Sequence, residues 1–140
     1  MATSLQIRGL AGALGAELRG IDLSRPLDPA ERKALEEALH RYGVLCIRGQ
    51  QLDHPALLAF ARSFGTPDVH PIAKGMSEHP EIIRVLKPAG ENAFFGTSWH
   101  SDNSFFERPS SLTILYGEKV PPVGGDTVFT SMERAFEMLS

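Results

Sequence analysis

The chain has 140 residues, 42% of them hydrophobic and 22% charged, with a formal net charge of −3. These values suit one globular domain or a piece of one. They speak against a nucleic-acid or anionic-membrane surface, which needs clustered Lys and Arg.

The opening Met-Ala-Thr-Ser-Leu-Gln-Ile-Arg has no basic start leading into an apolar run, and the stretch 11–18 is short and holds Glu17. Neither a signal peptide nor a membrane span is expected, and a cytoplasmic protein is the default. Residues 5–10 and 16–23 read as short strands separated by glycines that suit a turn. Asp28-Pro29-Ala30-Glu31 announces a helix: Asp28 caps, Pro29 takes the first helical position and Glu31 completes a capping box. Leu35, Ala38, Leu39 and Tyr42 recur at helical spacing, and Gly43 stops the helix. Residues 43–48 form the next expected strand, whose unbroken apolar run suggests burial on both faces. Cys46, the lone cysteine, reads as a small buried hydrophobe within it.

A second helix is expected from the cap Asp53, with Pro55 in its first turn and Phe64-Gly65 at its end. Residues 66–80 hold three prolines and no sustained period, so they read as a long loop, a length often associated with function. A strand over 81–86, a loop over 88–97, an extended segment over 99–106, strands over 111–116 and 126–129, and a helix from the cap Ser131 over 132–139 follow. Early helices and later strands predict an α+β arrangement with a mainly antiparallel or barrel-like core.

His100-Ser101-Asp102 carries the chemistry. On a strand, residues two apart project from one face, so imidazole and carboxylate can reach the same metal. Two His and one carboxylate make the facial triad of non-haem iron(II) oxygenases, which leaves positions open for co-substrate and oxygen. Spacing alone decides little. Five His and six Asp in this length give roughly 0.2 such triplets by chance, and without their context the two residues are better explained as a hydrogen-bonded structural pair. His79-Pro80-Glu81 has similar spacing, but its central proline and its place at a loop–strand junction suit solvated polar side chains better than a metal site.

The surroundings of the triplet add to it. Trp99-His100-Ser101-Asp102-Asn103-Ser104-Phe105, then Pro121-Pro122-Val123-Gly124-Gly125-Asp126-Thr127, then Ala135-Phe136-Glu137-Met138-Leu139-Ser140 resemble the taurine/2,4-D dioxygenase family. Its patterns are W-H-[ST]-D-x-[ST]-F, P-x-x-G-G-[DN]-T and a helix ending A-[YW]-x-x-L-[SP]. The run from Gly15 to Leu27 is similar to that family's opening. The resemblance implies a double-stranded β-helix (jelly-roll) core with flanking helices, of which residues 1–140 are the N-terminal part of a single domain. It implies an Fe(II)/2-oxoglutarate-dependent dioxygenase using O2 to hydroxylate a C–H bond of a small organic anion. The anion would be a sulfonate, sulfate ester, phosphonate or aryloxy carboxylate, and the co-products succinate and carbon dioxide.

The resemblance further makes His100 and Asp102 iron ligands and Thr127 a partner of 2-oxoglutarate. It places His70, Asn103 and Phe105 at the substrate, with Trp99 packed behind the ligand segment. Ala73 and Gly96 stand where taurine enzymes carry tyrosine and asparagine, which weakens a case for taurine. The family's second iron histidine and its 2-oxoglutarate arginine have no match here, since His40, His54, His70 and His79 all precede the triplet. On that ground the chain reads as truncated. Two rival readings stay open: a non-catalytic jelly-roll module with a structural His–Asp pair, and a cupin-like metalloprotein. No nucleic-acid or membrane partner is expected, and the pattern leaves room for a homo-oligomer.

Overall fold

The computed structural model of the chain describes residues 5–87, 90 and 98–139. Its elements are β1 (Gln6–Gly9), β2 (Ala16–Arg19), α1 (Pro29–Tyr42), β3 (Leu45–Ile47), α2 (His54–Arg62) and α3 (Met132–Glu137). The strands form one sheet in the order β1-β2-β3. β1 pairs antiparallel with β2, Ile7 opposite Leu18, and β2 pairs parallel with β3, Leu18 opposite Ile47. The sheet is therefore mixed, not mainly antiparallel, because α1 carries the chain back over it between two parallel strands.

The first strand pair closes on a short turn, Leu10 N–H donating to the Gly15 carbonyl at 2.9 Å. β2 ends at Arg19 and not at Leu23, as the apolar pattern suggested, because Gly20 turns the chain with φ 81°. The Gln50 side chain then replaces a neighbouring strand. Its Oε1 accepts from Leu23 N–H at 2.9 Å and its Nε2 donates to the Ile21 carbonyl at 3.0 Å.

α1 starts as its sequence requires. Asp28 accepts from Glu31 N–H at 2.8 Å, and Glu31 accepts in return from Asp28 N–H at 3.0 Å. Gly43, at φ 68°, donates to the Leu39 carbonyl and ends the helix. The end of α1 is stitched directly to β2, where Gly15 N–H reaches the Tyr42 carbonyl at 2.7 Å and Ala16 N–H the Val44 carbonyl at 2.9 Å.

Ala16, Leu18, Ile21, Leu23 and Leu35 form the core, with Tyr42, Leu45, Ile47, Phe60 and Phe64 packed against it. Leu18 and Leu35 are fully buried, each stabilising by about 1.5–3 kcal/mol relative to exposure. β3 is half-buried throughout and not buried on both faces, because it is an edge strand; Cys46 is half-buried with it. Among the described residues Glu17 is the buried carboxylate, paired with Arg19 at 2.8 Å and Arg48 at 3.6 Å.

Residues 66–80 form a loop, as expected, closed on itself by Met76 N–H donating to the Ile82 carbonyl at 2.9 Å. A Cβ at Gly75 would stand 1.9 Å from the Pro80 carbonyl oxygen, so only glycine fits there. The strands expected over 81–86, 111–116 and 126–129 do not form, and the segment 99–106, expected to be extended, makes a turn at 102–105. A strand needs a ladder partner, and no described residue offers one to these segments; a jelly roll is accordingly not seen among the described residues. The loop expected over 88–97, including Gly96 but apart from Gly90, lies outside the described residues. α3 forms at its expected cap, Ser131 Oγ accepting from Arg134 N–H at 3.2 Å, and Arg134 Nη2 donates to the Gly12 carbonyl at 3.1 Å. Among the described residues no helix is long and apolar enough to cross a membrane.

Leu35→Ala should cost about 2–5 kcal/mol, whereas Val123→Ala, at an 88% exposed position, should stay within about 0.5 kcal/mol. Urea unfolding followed by circular dichroism distinguishes the two. The Glu31 carboxyl is held below its usual range, first by its hydrogen bond from Arg25 and then by Asp28 N–H. Unfolded Glu31 thus takes up its proton at a higher pH than folded Glu31. Its contribution is whole at neutral pH and lost as the pH falls through the usual Glu range and then through the lowered folded value. The stability gap between wild type and Glu31→Gln should therefore shrink in acid.

Candidate metal centre

His100 lies on irregular chain just after a bend at Ser98 and Asp102 on a turn, neither on a paired strand, yet their side chains meet: His100 Nε2 stands 3.2 Å from Asp102 Oδ1. His100 Nδ1 is 2.8 Å from the Ser98 carbonyl. A carbonyl only accepts, so Nδ1 carries the proton, and in the neutral ring Nε2 presents its lone pair to the carboxylate. Two electron-rich atoms at this distance need positive charge between or beside them, either a proton or a metal ion. Two donors about 2.1 Å from one ion and at right angles to each other lie about 3 Å apart, which the observed separation matches. The N–H-to-carbonyl bond on the far ring nitrogen is also the usual outer support of a metal-bound histidine. On donor type, tautomer and spacing, the two residues fit an iron(II) ion.

Asp102 Oδ2 is engaged separately, accepting from Thr113 Oγ1 at 3.0 Å. His100 borders a cleft of about 370 Å³ lined by Trp99, Ser101, Val128, Phe129, Thr130 and Met132. Trp99 is 69% exposed and lines this cleft; it is not packed behind the ligand segment. Thr127 immediately precedes the lining residues, on chain redirected by Gly124 and Gly125 at φ 78° and 72°. No third His, Cys, Asp or Glu joins the pair among the described residues.

A second cluster abuts the first through the Asp102–Asn103 peptide. Asn103 adopts φ 53°, a left-handed conformation that Asn tolerates better than most residues. His70 Nδ1 accepts from Ile72 N–H at 3.1 Å and Ala73 N–H at 2.9 Å. Two backbone donors on one nitrogen leave the proton on Nε2, which faces Asn103 Oδ1 at 3.1 Å. Asn103 Nδ2 in turn donates to Ser110 Oγ at 3.3 Å. Phe106 tilts against His70 at 5.7 Å and holds Phe105 edge-on at 4.4 Å. His70, Asn103 and Phe105 are thus brought together, and Ala73 serves by its backbone. Sequence reasoning missed Thr113, Ser110 and Phe106, since bonds across long loops leave no periodic signal.

A family model described as "Taurine catabolism dioxygenase TauD, TfdA family" matches residues 6–140. The chain belongs to that family. An alkylsulfatase from Acinetobacter baylyi is 37% identical over 136 residues, covering 96% of this chain and 42% of the relative. An alpha-ketoglutarate-dependent sulfate ester dioxygenase from Pseudomonas putida is 34% identical over 139 residues, covering 99% of this chain and 45% of the relative. The chain therefore spans less than half the length of these TauD, TfdA relatives. A Burkholderia xenovorans crystal structure assigned as an alpha-ketoglutarate-dependent taurine dioxygenase superposes with a TM-score of 0.53 at 30% identity, over 61% of this chain and 32% of that one.

Two opposite tautomers are expected within this candidate site. Long-range 15N–1H spectra of the neutral rings should show His70 protonated on Nε2 and His100 on Nδ1. The reverse assignment for either ring would remove the hydrogen bonds described for it.

Proposed function

We propose that the full-length protein is an Fe(II)/2-oxoglutarate-dependent dioxygenase that uses O2 to hydroxylate a C–H bond of a small organic anion. The observation that carries this reading is the pair itself: Nε2 of a tautomerically fixed His100 beside Asp102 Oδ1 at 3.2 Å, within a family of such enzymes. The rival reading, a structural His–Asp pair, has little to support it energetically. Both side chains are about half exposed, and exposed ion pairs contribute little.

In the proposed enzyme His100 and Asp102 hold the iron and Thr127 binds a carboxylate of 2-oxoglutarate. Residues 1–140 make the N-terminal part of one jelly-roll domain. Bound iron and 2-oxoglutarate supply the oxidising chemistry, with succinate and carbon dioxide as co-products. The chain's own residues hold and orient the ligand side chains. Ser98 holds the imidazole with Nε2 free. The apolar side chains Val128, Phe129 and Met132 wall the cleft beside it.

For substrate we favour a sulfate ester within the wider set of sulfonates, phosphonates and aryloxy carboxylates. Two relatives with over nine-tenths coverage of this chain are named for sulfate-ester chemistry. His70, Asn103 and Phe105 are the proposed substrate contacts. His70 would donate its Nε2–H to an anion in place of Asn103 Oδ1, since its Nδ1 is taken up by Ile72 and Ala73 N–H.

Anaerobic titration of the full-length protein with Fe(II) tests the ligands. His100→Ala and Asp102→Ala should each weaken binding sharply and abolish turnover, and unchanged affinity in both would sink the assignment. A substrate panel tests the rest. Alkyl sulfates should exceed taurine and neutral alcohols in kcat/KM, with succinate and sulfate released together. His70→Ala should raise KM mainly for the anions. Equal turnover of the neutral analogues would overturn the anion reading.

A further inference from the structure

We propose that Thr113 is a positioning residue for the metal centre, deciding which oxygen of Asp102 faces His100. The inference rests on the reading of His100 and Asp102 as ligands. A carboxylate torsion is broad and roughly two-fold, so a free Asp102 could present either oxygen, or both. Thr113 Oγ1 removes that choice by donating to Oδ2 at 3.0 Å, while Oδ1 remains 3.2 Å from His100 Nε2. The bond is charge-assisted, and the β-branched threonine has few χ1 positions, so the hydroxyl is itself well placed.

The segment that carries Thr113 is built to hold it there. Exposure alternates along residues 110–116: Ser110, Leu112, Ile114 and Tyr116 are half-buried, and Ser111, Thr113 and Leu115 are exposed. Thr113 thus lies on the outward register of a segment that pairs with no strand. Both ends of that segment are tied. Ser110 Oγ accepts from Asn103 Nδ2 at 3.3 Å, and the Tyr116 hydroxyl accepts from Leu52 N–H at 3.1 Å. Asp102 and Asn103, successive residues of one turn, are therefore braced by side chains from the same short segment. An exposed threonine in a purely structural role would not need a bond to the carboxylate beside His100.

Partners of metal ligands typically cost 10–100-fold in affinity when removed. Mn(II), which resists oxidation, serves as the probe, its free concentration read by electron paramagnetic resonance in titrations of the full-length protein. Thr113→Val, which keeps the shape and loses the hydroxyl, should weaken Mn(II) binding by about 10-fold or more. Thr113→Ser, which keeps the hydroxyl and loses the methyl, should stay within about 3-fold of wild type. A merely structural threonine predicts the opposite order, with Val harmless and Ser the worse variant. Should Thr113→Val not fold, Thr113→Ala carries the same test. Wild-type affinity in the hydroxyl-free variant, alongside loss of binding in Asp102→Ala, overturns the role of Thr113 and leaves the ligand reading intact. Wild-type affinity in Asp102→Ala overturns the ligand reading, and the role of Thr113 with it.

Discussion

The parallel pairing of β2 with β3 is the constraint from which the packed part of the chain follows. Placing Leu18 opposite Ile47 requires the intervening residues to return over the sheet, and α1 is that return. Once it lies there, Leu35 turns inward to join Ala16 and Leu18 in the core, and Ala38 is buried on the same helix. The direct bonds from Gly15 and Ala16 to Tyr42 and Val44 leave the helix little freedom in where it ends. Among the described residues none beyond Leu58 is buried, so the hydrophobic contribution concentrates in the first 60 residues.

The candidate metal centre is held differently. His100, Asp102 and Asn103 are not fixed by packing but by directed bonds to Ser98, Thr113, His70 and Ser110. Such bonds set orientation at a modest net stability each, about 0.5–1.5 kcal/mol. A site of this kind can be well oriented while its surroundings stay half-exposed. The two histidines illustrate how chemistry separates within it. His100 donates its Nδ1–H to a carbonyl and turns the Nε2 lone pair toward Asp102, whereas His70 Nδ1 accepts from two backbone N–H groups and its Nε2–H faces Asn103.

The first half of the fold was legible because its signals are local. A capping box, a terminating glycine and helical spacing lie within a few residues of what they determine, and α1 appeared where Asp28, Glu31 and Gly43 indicated. Gly20 and Gln50 show the first limit. Ile21 and Leu23 keep an apolar alternation, but a left-handed glycine ends the strand and a side chain 27 residues from Leu23 completes its hydrogen bonding. The later strands show the second limit. Residues 111–116 alternate as a half-buried strand should, and the alternation of exposure is real, yet pairing depends on a partner that local pattern cannot supply. His100 and Asp102 were found by motif, while Thr113 has no mark in the sequence because its meaning comes from the fold around Asp102.

The bond from Arg134 to the Gly12 carbonyl joins positions 122 residues apart, and its two ends are encoded unequally. A main-chain oxygen exists whatever residue stands at 12, so long as the turn keeps its course. A guanidinium reaching that oxygen exists only while 134 remains arginine. Drift at the first position is therefore silent and at the second audible. This tie from α3 to the turn at Gly12 is thus inherited through a single codon.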